Sequence, residues 1–103
     1  MIIINTSFHV HVSLVDDFKA WVKDIYIPEA LTSGMVSTPR FMTLLIEVQE
    51  DCVSFAVSFE ADTIESATRW HDNDGAKLRD QLRQKFGDRV LNFSIYMDEL
   101  PLN

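Results

Sequence analysis

Along this chain, four stretches alternate apolar and polar residues with a period of two, and two others repeat apolar residues every three to four. Strands place successive side chains on opposite faces, and helices bring i, i+3 and i+4 to one face, so the order of these periods fixes the order of elements. Ile2, Ile4, Phe8, Val10, Val12 and Leu14 share one parity, against Asn5, Ser7, His9, His11 and Ser13. Asp16 and Asp17 then suit a helix start, and Phe18, Trp21, Val22 and Ile25 recur at helical spacing. Pro28 lacks an amide hydrogen and predicts a kink or restart, with Gly34 as the C-terminal cap.

A second strand is expected over 40–48, with Met42, Leu44, Ile46 and Val48 on one face and Phe41, Thr43, Leu45 and Glu47 on the other. The polar turn 49–51 leads into a third strand carrying Val53, Phe55, Val57 and Phe59. Asp62 or Thr63 can cap a long helix over 64–86, whose apolar stripe reads Ile64, Ala67, His71, Gly75, Leu78, Leu82 and Phe86. Gly87-Asp88 ends it. In the last strand Leu91, Phe93, Ile95 and Met97 oppose Asn92, Ser94, Tyr96 and Asp98.

The order βαββαβ predicts an α+β fold with ferredoxin-like topology. A four-stranded antiparallel sheet carries both helices on one face, within a single domain, 1–103. The apolar strand faces, including Leu91, Phe93, Ile95 and Met97, are expected to meet the helices. The reverse face is then a mixture of Asn5, Ser7, His9, His11, Thr43, Leu45, Ala56, Ser58, Asn92, Ser94 and Tyr96. Such a face suits pairing with a second copy, closing a dimeric α+β barrel.

Composition narrows the function classes. Sixteen acidic and nine basic residues give a net charge of −7, which argues against nucleic-acid or anionic-membrane partners. The opening apolar run stops at Asn5, far short of a membrane span, and no signal peptide is expected. The lone Cys52 allows no internal disulfide and points to a reducing cytoplasm. Its acidic neighbours make it a poor nucleophile.

An ordered set of residues resembles an uncharacterised domain-of-unknown-function family of short bacterial proteins built as dimeric α+β barrels. The set comprises Met1-Ile2-Ile3, Asn5, Trp21, Ile27-Pro28-Glu29, Leu31, Gly34, Arg40, Leu78-Arg79, Phe86-Gly87 and Phe93. The resemblance implies the dimeric barrel and no established activity. The chain departs from the family pattern at Tyr26 and Asp74, where histidine is frequent. Related barrels include cofactor-free monooxygenases, haem-degrading enzymes, isomerases and ligand-binding domains, so fold alone names no function.

The candidate ligand-binding residues are His71, Arg40, Tyr26 and Asn5. His71 falls on the helical stripe between the small Ala67 and Gly75, where a cavity against the sheet is expected. Imidazole titrates near neutrality, which makes it the candidate general base. Arg40, at a strand start, is suited to holding a carboxylate of a ligand or of Glu29. Tyr26 is a potential pocket hydrogen-bond donor. Asn5 with Trp70-His71 resembles the Asn, Trp and His set of haem-degrading barrels, but Asn5 lies on the far strand face and no cofactor is expected. His9 and His11 share a strand face, yet would need Glu47 or Glu60 to hold a metal, and no metal is expected. The basic residues of the second helix, Arg79 among them, read as a solvated face. Two readings remain: a homodimer binding a small molecule between helices and sheet, or a cofactor-independent monooxygenase- or isomerase-like enzyme using His71.

Overall fold

The computed structural model describes residues 1–46 and 50–103. Its strands are β1 (Ile2–His11), β2 (Ser37–Thr43), β3 (Cys52–Ala61) and β4 (Val90–Asp98). They form one antiparallel sheet in the order β2-β3-β1-β4. Two helical arms cover one face. The first runs through α1 (Val15–Trp21), a π-helical turn (Val22–Tyr26) and α2 (Ile27–Thr32). The second comprises α3 (Ile64–Asp72) and α4 (Asp74–Phe86). This is the expected ferredoxin-like βαββαβ arrangement. The slab measures 42 × 30 × 18 Å, which fits one sheet and one helical layer with the other sheet face uncovered.

Pro28 produces the break in the first arm. With no amide hydrogen it cannot bond the carbonyl four residues back, and the ladder loosens just before it. Ile27 N–H instead reaches back five residues to the Val22 carbonyl. The wider turn absorbs one extra residue. Trp21 and Ala30 lie nine residues apart, which an unbroken α-helix would place about 180° from each other. Here Trp21, Val22, Tyr26 and Ala30 are all buried. Gly34 ends the arm at φ +71°, a left-handed conformation that disfavours side chains.

In the second arm Thr63 is the cap, its hydroxyl accepting from Ser66 N–H at 3.1 Å. The single helix expected over 64–86 is interrupted at Asn73. Its side-chain amide donates at 2.8 Å to the Arg69 carbonyl, which the Asn73 backbone N–H also bonds at 3.1 Å, and its backbone turns away from helical geometry to φ −110°, ψ −77°. The break changes the phase of the stripe. Trp70, 1 % exposed, takes the core position assigned to His71, and Ile64 is exposed. The room at Gly75 is filled by the Trp70 ring, which a Cβ there would meet at 3.4 Å.

Register sets which strand faces meet the helices. Ile4, Phe8 and Val10 of β1 stand beside Phe59, Phe55 and Val53 of β3, and the buried members of this set pack on Phe18, Tyr26 and Trp70. Three expectations fail here. β2 begins at Ser37 and stops at Thr43; 44–46 of the expected strand are not strand, and 47–48 lie outside the described residues. Its helix-side residues are Phe41 and Thr43, opposite Val57 and Phe55, while Arg40 and Met42 face outward. β1 likewise stops at His11, and Val12–Leu14 form a 3-10 turn with Val12 exposed.

The third correction has the greatest consequence. β4 pairs Val90 with Val10, Asn92 with Phe8, Ser94 with Thr6 and Tyr96 with Ile4. Residues directly opposite in an antiparallel pair share a face. β4 therefore turns its polar side to the helices and its apolar side outward. Leu91, Phe93, Ile95 and Met97 are 56, 54, 46 and 44 % exposed.

Candidate functional site

The polar side of β4 builds the site. Ser94 Oγ lies 2.7 Å from Thr6 Oγ1, on the helix side of the sheet. Thr6 also neighbours the Tyr26 phenol and favours its ionised form. The Tyr26 ring is held by Trp21 at 5.3 Å, Phe8 at 5.7 Å and Phe59 at 6.1 Å between centroids. Tyr96 continues the row, its ring edge-on to His71 at 5.7 Å.

Arg79 connects these groups. Its Nη2 donates to the His71 carbonyl at 3.0 Å, and its charge is felt by both Tyr26 and Tyr96. Burial pushes the Tyr26 phenol up to about 12, against the lowering effects of Thr6 and Arg79. Burial also raises Tyr96, helped by the Asp72 carboxylate and opposed by Thr68 and Arg79. Arg79 further lines an open groove of about 640 Å³ between α4 and β4, with Leu82, Arg83, Gly87, Asp88, Val90, Leu91 and Asn92.

The raised Tyr26 value has a direct consequence. Below pH 10 the phenol is neutral whether the chain is folded or unfolded. Between about 10 and 12 the unfolded phenol ionises first, so stability falls as pH rises, by about 2–3 kcal/mol in all. Urea unfolding at about pH 9.5 and about pH 11.5 measures this slope. Tyr26→Phe should flatten it, and an equally steep alkaline loss in that variant would refute the assignment.

The four candidate residues separate into two pairs. Tyr26 and His71 lie on the helix side, joined through Arg79 and not in a common cavity. His71 sits at the rim, its side chain 25 % exposed and Nδ1 3.3 Å from Asp72. The cavity expected beside it is occupied by Trp70. Asn5 and Arg40 are on the outward face, both beside Ser58, in the row Arg40–Ser58–Asn5–Ile95. Arg40 lines a hollow of about 290 Å³ with Ile3, Thr38, Ser58, Glu60 and Glu99. Glu29, its suggested partner, accepts instead from Gln81 on α4 at 3.3 Å. Asn5 and Trp70 therefore stand on opposite sides of the sheet, and the haem-type set does not converge.

His9 and His11 are both engaged locally. His9 Nδ1 lies 2.7 Å from Ser54 Oγ, and His11 Nδ1 2.7 Å from Ser13 Oγ. Glu60 pairs with Ile3, six residues from His9 along β1 and about 20 Å away. Glu47 lies outside the described residues. Among the described residues no three metal-ligating side chains cluster.

Arg79, Thr6 and Ser94 are absent from the candidates drawn from sequence. For Arg79 a signal existed: it follows Gly75 by one helical turn and borders the Leu78–Leu82 stripe. Small residues at such a border leave a long side chain room to fold inward.

The family described as a domain of unknown function (DUF4286) matches residues 1–100. No curated protein matches the chain. Among solved structures, HapK from Hahella chejuensis superposes with a TM-score of 0.73 at 10% identity, covering 100% of this chain and 96% of that one. An ethyl tert-butyl ether D (EthD) family protein from Bacillus halodurans C-125 gives 0.66 at 12% identity, covering 97% and 100%. Likeness at these identities establishes a shared fold. No helix among the described residues is long and apolar enough to cross a membrane.

Proposed function

The chain belongs to the DUF4286 family, and from that premise we propose that it is a homodimeric small-molecule-binding protein, its two sheets paired face to face and its ligand held between helices and sheet. The observation that carries the dimer is the inversion of β4. A row of four half-exposed apolar side chains along one strand is a contiguous patch, which favours association. Beside it the outward face is low, because Ser7, Ser54, Ala56 and Ser58 are small. A ridge next to a hollow is self-complementary under a two-fold axis, each ridge filling the other copy's hollow. The projected face is roughly 600 Å² from strand spacing and rise. Its accessible area is larger and approaches the ~800 Å² per partner of a stable dimer.

The same inversion supports the ligand reading, since it turns Asn92, Ser94 and Tyr96 toward Arg79. No observation favours the enzyme alternative, which required a cavity at His71. The unpaired Cys52 is consistent with a reducing cytoplasm. Light scattering at micromolar concentration tests the dimer. It should give twice the 11.9 kDa chain mass, and a single-chain mass would refute it.

A further inference from the structure

We propose that the groove between α4 and β4 binds a monocarboxylate with an apolar body, its carboxylate gripped by Arg79 and assisted by Arg83 and Asn92. This rests on the small-molecule reading above and specifies its chemistry. The groove's volume, about 640 Å³, lies in the usual range for small-ligand sites. Leu82 and Val90 are buried beneath it, and Leu91, whose side chain turns to the outward face, borders it at the strand edge. Arg79 and Arg83, one helical turn apart, approach from α4, and Asn92 faces them from β4.

The charge pattern selects an anion. The chain has sixteen acidic residues to nine basic ones, so a partly buried arginine has many possible counter-ions. Arg79 has none within 4.0 Å among the described residues. Its one described hydrogen bond is to the His71 carbonyl. A guanidinium carries five N–H donors in a planar fork that matches a carboxylate bidentately, so donors remain for a ligand. Arg83 meets Asp80 at 3.3 Å at the surface, which leaves it a weaker, assisting role. Asp88 lines the same groove and repels a second negative charge, favouring a monoanion over a phosphate ester. The leucine and valine surfaces require the rest of the ligand to be hydrocarbon or aromatic.

Titration calorimetry with 2-naphthoate, its neutral isostere 2-naphthamide and inorganic phosphate tests this. Naphthoate should bind at least ~10-fold more tightly than naphthamide or phosphate and weaken with added salt. Arg79→Met should raise its Kd at least ~10-fold and Arg83→Gln about 3-fold, with Arg79→Lys falling between wild type and Arg79→Met because it keeps the charge and loses the bidentate fork. Circular dichroism checks that each variant folds. If Arg79→Met does not, the naphthoate–naphthamide comparison on wild type and the exposed Arg83→Gln decide. Equal binding of naphthoate and naphthamide would overturn the anion assignment while leaving the small-molecule reading intact. Preferred binding of phosphate would overturn the apolar body, and unchanged naphthoate affinity in folded Arg79→Met would overturn the role of Arg79. Binding of none of the three would overturn both readings.

Discussion

Phe18→Ala is expected to lower folding stability by about 3–5 kcal/mol. The side chain is fully buried, and its ring meets five others: Phe8 at 5.1 Å, Phe55 at 5.4 Å, Phe86 at 6.1 Å, Trp21 at 6.3 Å and Phe41 at 6.3 Å. These partners come from three strands and both helical arms, so no single element can shift to fill the space. The cost therefore includes the cavity as well as the lost transfer energy. A domain of this size is stable by about 5–15 kcal/mol, so the loss is a large share of the total. Thermal melting should shift down by roughly 15–30 °C. A loss below about 1 kcal/mol in urea unfolding would show that the aromatic cluster is not the centre of the core.

Phe93→Asp is expected to dissociate the proposed dimer without unfolding the chain. Phe93 lies mid-way along the apolar row of β4, with the His9 ring 6.1 Å away. In a two-fold pair the substitution places two carboxylates at the seam, each stripped of water without a partner of opposite charge. The dimer Kd should rise at least ~100-fold, read by light scattering across a dilution series. Because Phe93 is already half-exposed in the single chain, circular dichroism should stay native. A variant that remains dimeric would move the interface elsewhere, and one that melts far below wild type would mean that the ridge belongs to the monomer core.

Period and order were legible in the sequence, and so was the facing of β1 and β3; the facing of β2 and β4 was not. The alternation at Leu91, Phe93, Ile95 and Met97 reveals a strand with one apolar side, and a core is the usual destination of that side. Facing is fixed by pairing partners that no local pattern contains: Ser94 meets Thr6, and the buried Val90 meets Val10. β4 is also an edge strand, with one neighbour fewer to impose a face. At Trp70 and His71 the difficulty was phase. Counting back from Leu82 through Leu78 and Gly75 reaches His71, provided the helix is continuous. Asn73 interrupts it, and from Ala67 the step of three to the bulky Trp70 prevails over the step of four to His71. Both misreadings bear on the site. The inverted strand supplies its polar wall, and the interruption ends α3 at Asp72, leaving the His71 carbonyl to Arg79.

The π turn before Pro28 gives the first arm an asymmetric tolerance to changes in length. It holds one residue more than an α-helix with the same phase at its two ends. A sequence lacking one residue between Val22 and Tyr26 would wind as ordinary α-helix there and still present Phe18 and Trp21 on one side of the gap, and Ala30 on the other, to the same core. A sequence with one residue added would have no second slack turn to hide it, and the upstream aromatics would swing about 100° out of the cluster. Across this arm deletion is the silent change and insertion the disruptive one.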